Sequence, residues 1–304
     1  MAIESVKATI NGQQYALTLN NSTGKYEATI TAPSKSSYEN NDGHYYPVSI
    51  TAADDAGNSA TVDDTHAELG EALRLKVKEK VAPTVTITAP TSGATIINNK
   101  PVITAQLRDN DSGIDVSSLI LKIDNGAVAP GTITKTEVEG GYNISYTPVT
   151  ALSDGSHTIS LQVSDNDGNQ CTAKTSTFKV DTVPPTLSIT APIDGLKTNQ
   201  AALTVAGTTN DITSSPVTVT MKLNNIDQGS VTVNAQTGAF SKAITLAEGS
   251  NTIEVKATDA AGKSTTVTRT ITLDTAAPVI SAVSIAPNPV DSGATYVLSV
   301  TVED

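Results

Sequence analysis

The segment Val81-Ala82-Pro83-Thr84-Val85-Thr86-Ile87-Thr88-Ala89-Pro90 returns as Val183-Pro184-Pro185-Thr186-Leu187-Ser188-Ile189-Thr190-Ala191-Pro192, and loosely from Ala277-Pro278-Val279. Pro83, Pro185 and Pro278 stand 102 and 93 residues apart, a step the size of one β-sandwich. A period of that length predicts a series of similar units, each with its own core, instead of one core built from all 304 residues. Each proline fixes φ and lacks a donor, so it opens a first edge strand and stiffens the junction before it.

A second element recurs inside the units. Asp42-Gly43-His44 leads through Val48, Ile50 and Ala52 to Asp54-Asp55-Ala56-Gly57-Asn58; Asp154-Gly155-Ser156 leads through Ile159, Leu161 and Val163 to Asp165-Asn166-Asp167-Gly168-Asn169. The third copy runs from Glu248-Gly249-Ser250 through Ile253, Val255 and Ala257 to Asp259-Ala260-Ala261-Gly262-Lys263. Apolar residues at i, i+2 and i+4 predict strands with one buried face, and the D-x-x-G turns reverse the chain into a last strand such as Val267 to Leu273.

These signals predict an all-β chain: tandem β-sandwiches in an elongated array, with domains at 1–81, 82–182 and 183–275. Residues 276–304 hold only two strand-like runs around Pro287-Asn288-Pro289. They read either as part of a fourth sandwich or as strands completed by another chain, since unpaired edges recruit partners. The first domain diverges, with one helical turn expected over Thr65-His66-Ala67-Glu68-Leu69-Gly70 before a strand at Leu73, Leu75 and Val77.

Composition sets further bounds. Aromatic residues are 3% of the chain, with no Trp, and Thr, Val, Ile and Ser fill the stretches between turns, as on half-buried pleated surfaces. A net charge of −12 argues against nucleic acid, whose phosphates are bound by Lys and Arg. No run of 18 apolar residues predicts membrane insertion. Cys171 is the sole cysteine and reads as a small hydrophobe in a strand. Met1-Ala2-Ile3-Glu4 enters a strand pattern with neither a basic nor an apolar leader region, so the sequence as written is not expected to be Sec-exported.

Catalytic motifs are missing: there is no G-x-S-x-G, H-E-x-x-H or C-x-x-C. His44, His66 and His157 are scattered, and His157 falls at a repeat position held elsewhere by Asn251 and Tyr45, which reads as a turn with no proton-transfer duty. Asp109-Asn110-Asp111-Ser112-Gly113 and Asp165-Asn166-Asp167-Gly168-Asn169 present alternating oxygen donors before a glycine. Their first reading is as turn formers bonding their own backbone, which predicts a melting temperature that calcium barely moves. The alternative is a calcium ion shared by Asp109, Asp111, Asp165 and Asp167, although neither loop carries the closing Glu of a calcium-binding helix–loop–helix motif. Asp259-Ala260-Ala261 loses the second donor, so the fold itself does not demand the metal. Asp181 and Asp274 are further inter-domain ligand candidates but read first as solvated linker residues.

Five of the eight tyrosines lie in the first domain. Tyr38, His44, Tyr45 and Tyr46 flank a polar loop and form a candidate platform for sugars or a protein partner, while Tyr45 and Tyr46 also read as the start of a core strand.

The run Gly238-Ala239-Phe240-Ser241-Lys242-Ala243-Ile244-Thr245-Leu246-Ala247-Glu248-Gly249-Ser250-Asn251-Thr252-Ile253, continuing into Ala257-Thr258-Asp259-Ala260-Ala261-Gly262-Lys263, resembles the bacterial immunoglobulin-like repeats of large surface adhesins and of accessory domains in secreted glycosidases. The stretch Asn21 to Tyr38, with Gly43-His44-Tyr45-Tyr46, is similar to Ig-like proteins carried by prophages of Gram-positive bacteria beside their tail and baseplate genes. The second resemblance implies a non-enzymatic structural or adhesive component of a virion or tail-like particle. Such a component would be present in many copies, with other tail proteins and host cell-surface glycans as partners. The first implies a secreted or surface location, either as a carbohydrate-binding or spacer module of a polysaccharide-active enzyme or as part of an adhesin.

Overall fold

This computed structural model describes residues 2–304. They divide into two compact units, residues 2–94 with 98–180 and residues 95–97 with 181–304. Strands dominate both, and the helical elements among the described residues are two 3-10 turns, Gly70–Leu73 and Pro130–Thr132. The first turn lies just beyond the segment expected to be helical; His66 Nδ1 instead accepts the N–H groups of Glu68 and Leu69 in a non-helical turn.

Residues 3–75 of the first unit make one antiparallel sheet in the order Lys25–Glu27, Gln13–Asn20, Ile3–Ile10, Tyr46–Asp54, Ser59–Val62, with Arg74–Leu75 added to Tyr46–Pro47. Its buried hydrophobics are Ala8, Ile10 and Tyr46. The strand Tyr46–Asp54 shows no alternation of buried and exposed positions, contrary to the pattern expected from Val48, Ile50 and Ala52, because a single sheet offers no facing layer to bury one side.

The remainder of this unit has two facing sheets. One runs Thr134–Val138, Gly141–Tyr146, Ile103–Arg108, Thr84–Ala89; the other includes Gly126–Ala127, Ile114–Ile123, Gly155–Asp165 and Lys174–Val180 in that order. Here the repeat predicted from sequence is realised: Gly155–Asp165 alternates strictly, burying His157, Ile159, Leu161 and Val163 against Ile103, Leu107, Leu121 and Phe178. Gly141 holds φ at +147°, and a Cβ there would fall 2.1 Å from the Leu107 carbonyl oxygen, so this close strand approach requires glycine.

In the second unit, Thr186–Ala191, Ala202–Asn210 and Ala239–Thr245 form one sheet. The other runs Lys197–Thr198, Ser264–Leu273, Gly249–Thr258, Thr218–Leu223, Ile226–Val231. Val205, Met221, Phe240, Ile253, Val255 and Ile271 fill the space between them. Val279–Ala286 and Val297–Glu303 pair as a separate two-stranded sheet.

Candidate functional site

The turns that end the strands do most to organise the polar chemistry. Asp109 Oδ1 accepts the N–H groups of Asp111, Ser112 and Gly113 at 2.9–3.0 Å, which fixes the loop after Ile103–Arg108. Asp165, buried at the end of Gly155–Asp165, accepts Asn169 N–H on Oδ1 and the Asn169 side-chain amide on Oδ2, both at 2.7 Å. Glu79 reaches the same place from the segment before Thr84–Ala89, and one oxygen from each of Glu79, Asp109 and Asp165 lies within 4.8 Å of the others. Burial, then the bond to Asp165 and its charge, pushes the Glu79 carboxyl up. Burial also opposes the charge of Asp165, but its bonds from Glu79 and Asn169 hold it below the usual carboxylate range. The contact thus drives the two carboxyls apart, Glu79 up and Asp165 down.

Of the four carboxylates expected to share an ion, Asp109 and Asp165 meet and the other two do not. Asp111 accepts the N–H of Ser36 at 2.9 Å and Asp167 that of Glu79 at 2.9 Å, so both hold backbone from earlier in the same unit. Their short side chains are committed there because the two loops face different segments. Sequence reading missed Glu79, and the only signal for it was its place four residues before Pro83, matching Asp181 before Pro185.

The second unit repeats the arrangement with different residues. Asp181, Asp211 and Asp259 are all buried, with one oxygen from each within 4.8 Å of the others. Asp211 Oδ1 accepts the N–H groups of Thr213 and Ser214 at 2.8 and 2.6 Å. Asp181 Oδ1 accepts Val183 N–H at 3.2 Å and Asp259 Oδ1 accepts Lys263 N–H at 2.8 Å. Burial, with Asp211 and Asp259 adding their charge, pushes the Asp181 carboxyl up. The solvated-linker reading is thus overturned for Asp181, which is 0% exposed, while Asp274 is exposed. The reading that the third repeat loses the second donor of its turn holds for the turn alone, since Asp181 and Asp211 arrive from elsewhere in the chain.

The aromatic candidates split. Tyr38 and His44 stack, ring centroids 3.9 Å apart and 9° from parallel, with His44 exposed. Tyr45 donates to Asp64 at 2.7 Å, which raises its phenol pKa, and lies under the Arg74 guanidinium. Tyr46 is buried and is a core residue, as the second reading of its position allowed. Tyr38 also lines a groove of about 850 Å³ with Tyr142, Asn110, Asn166 and the carboxylates of Glu39, Asp109, Asp111, Asp115, Glu137 and Glu139. No Lys or Arg lines it. Tyr142 carried no sequence signal, because it stands in a strand far from the tyrosine-rich loop.

The histidines occupy structural positions. His157 is not in a turn: it is buried in the strand Gly155–Asp165, bonded to Asp124 and the Ser153 carbonyl. The third repeat builds the same contact without charge, with Asn224 Nδ2 donating to Asn251 Oδ1 at 3.0 Å and Asn251 bonding the carbonyls of Ala247 and Gly249. Cys171 is buried next to a bridge residue instead of within a strand, and its Sγ accepts Val163 N–H.

Residues 83–161 match the family model of a bacterial Ig domain, and residues 185–275 that of glucodextranase domain B. Two separate spans are thus each similar to a known domain family, and the first of these families is Ig-like. It is 31% identical to bacillopeptidase F of Bacillus subtilis (strain 168) over 159 residues, 52% of this chain, and spans about a tenth of that protein's length. Among solved structures it is similar to the fibronectin(III)-like modules of Clostridium thermocellum CbhA, with 18% identity, a TM-score of 0.38, and 63% of this chain and 94% of that one covered. A run of titin domains shares 12% identity with a TM-score of 0.41, over 88% of this chain and 86% of that one.

Proposed function

We infer that the chain is a non-catalytic segment of a secreted or surface-held protein, whose Ig-like domains act as spacers and whose first unit binds neutral glycan. The groove that holds Tyr38 and Tyr142 carries this reading. Tyrosine rings stack on the C–H faces of sugars, and ionised carboxylates and amide carbonyls accept from sugar hydroxyls. The match of residues 185–275 to a domain of a glucodextranase supports the same class of setting. A groove with six carboxylates and no cationic lining residue disfavours uronic-acid polymers by like-charge repulsion. Affinity per groove is low, and tethering of several copies supplies the rest.

Affinity electrophoresis tests this. Neutral β-glucans in the gel should retard the chain, polygalacturonate should not, and Tyr142→Ala should abolish the retardation. Equal mobility in all neutral gels would remove the glycan reading.

The resemblance read from Asn21 to Tyr38 and Gly43 to Tyr46 is the basis of a second proposal, a place on a virion or tail-like particle. Mass spectrometry of particles purified from the source organism discriminates, since only that placement puts the chain in the particle fraction.

A further inference from the structure

Two carboxylates buried in the second unit each keep an oxygen that nothing in the fold satisfies. Asp181 and Asp259 fix Oδ1 to a backbone N–H, whereas Oδ2 of each is buried with no hydrogen-bond partner. Ser214 Oγ, in a residue 2% exposed, is also buried without a partner, although it lies close enough to Asp181 to favour the ionised form. None of the ion pairs among the described residues involves Asp181, Asp211 or Asp259. Burying carboxylates together without donors is costly, and a fold that retains them is relieved either by a proton or by a bound cation.

The first unit shows what compensation looks like at the equivalent place. There the Asn169 side-chain amide donates to both Asp165 and Glu79, and Ser112 Oγ donates to Glu79. Lys263 stands where Asn169 does, but only its backbone N–H reaches Asp259, and its amine joins none of the ion pairs among the described residues. The second cluster has the carboxylates of the first without the amide that neutralises their lone pairs.

We propose that Asp181, Asp211 and Asp259, with Ser214 at their margin, form a binding site for one hard divalent cation of the calcium class. Oxygens sharing a calcium ion at 2.3–2.6 Å lie at most about 5 Å apart, and these three lie within 4.8 Å. The ion ties the lead-in residues 181–184 to the turns at 211–215 and 259–262, which already meet through Ala260 N–H and the Ser214 carbonyl. The site is independent of the glycan groove.

The test uses the full chain, stripped with chelator and titrated by calorimetry with calcium and, in parallel, magnesium. The expected result is one saturable calcium site in the range of extracellular modules, about 10⁻⁴–10⁻³ M, with a rise in melting temperature that chelator reverses. Asp181→Asn and Asp259→Asn should each weaken calcium binding at least tenfold. Both should also raise the calcium-free melting temperature, because an isosteric amide removes an uncompensated charge. Asp165→Asn should leave the isotherm unchanged. Absence of both heat and melting shift at roughly 10 mM calcium, well above that range, overturns the proposal, as does an isotherm that survives Asp181→Asn or disappears with Asp165→Asn. Should a variant fail to fold, hydrogen exchange on the unmodified chain decides: calcium must slow exchange at residues 211–215 and 259–262, and unchanged exchange there counts against the site.

Discussion

His157 faces an acceptor at each ring nitrogen: Asp124 Oδ2 at 2.6 Å from Nδ1 and the Ser153 carbonyl at 2.7 Å from Nε2. A neutral imidazole carries a single N–H, so only the imidazolium satisfies both. Burial opposes that charge, yet the bonds to Asp124 and Ser153 outweigh it and raise the His157 pKa above its ordinary 6.5. Burial likewise opposes the charge on Asp124, and the bonds from His157 and Thr158 N–H outweigh it and hold its pKa below the ordinary 3.8. The histidine contribution is complete below pH 6.5 and disappears as pH rises through the raised folded value. The aspartate contribution is complete above pH 3.8 and disappears as pH falls through the depressed folded value. The pair thus stabilises most between these two ordinary values. Asp124→Asn removes the anion but keeps an acceptor. A hydrogen bond to a charged group contributes about 1.5–3 kcal/mol; with the Asp124 side chain 46% exposed, solvent screening reduces this to about 1–2 kcal/mol. At about 4–8 °C per kcal/mol for a domain of this size, the affected calorimetric transition should fall by roughly 4–16 °C at pH 5.5. At a pH above the raised folded value of His157, where its imidazole has lost the proton in both proteins, the deficit should shrink to under about half of that. An equal deficit at the two pH values would refute the imidazolium assignment. The double variant Asp124→Asn with His157→Asn, which copies the Asn224–Asn251 pair, should show no such pH dependence.

Phe178→Ala empties the centre of the 84–180 sandwich, where Phe178 is 1% exposed. It should cost about 3–5 kcal/mol, read as a lower urea midpoint for that transition with the 186–273 transition unmoved. Gly141→Ala places a methyl 2.1 Å from the Leu107 carbonyl at a φ of +147° and should destabilise by more than about 1 kcal/mol. Gly131→Ala, with no atom within 4 Å and no positive φ, is the matched control and should leave the melting temperature within about 1 °C, as unstrained surface changes do.

The strands were legible where two conditions held together, a period-2 apolar pattern and a facing sheet to bury it. Gly155–Asp165 and Gly249–Thr258 met both and alternate as expected. Tyr46–Asp54 has the pattern without the second layer, and pattern alone does not reveal whether a partner sheet exists. The candidate sites were legible only in part, for a related reason. The turn carboxylates Asp109 and Asp165 announce themselves by spacing, but their companion Glu79 lies 30 residues before Asp109 in sequence and is joined to them by folding alone. Tyr142 reaches the groove of Tyr38 in the same way.

Comparing the two sandwiches shows what the fold fixes and what it leaves to the sequence. Both place a turn at the end of one strand, Asp124-Asn125 and Asn224-Asn225, with positive φ at all four residues. In both, the side chain of the first turn residue contacts a buried polar residue on the neighbouring strand. One sandwich fills that contact with an ion pair and the other with two amides. The carboxylate clusters invert the choice: the 84–180 sandwich uses an amide, Asn169, and a hydroxyl, Ser112, whereas the 186–273 sandwich leaves acceptors facing acceptors. The backbone therefore dictates where polar groups must meet, and substitution decides whether their charges cancel internally. Only where they do not cancel does the domain need something from solution, and that condition is met around Asp181 and Asp259.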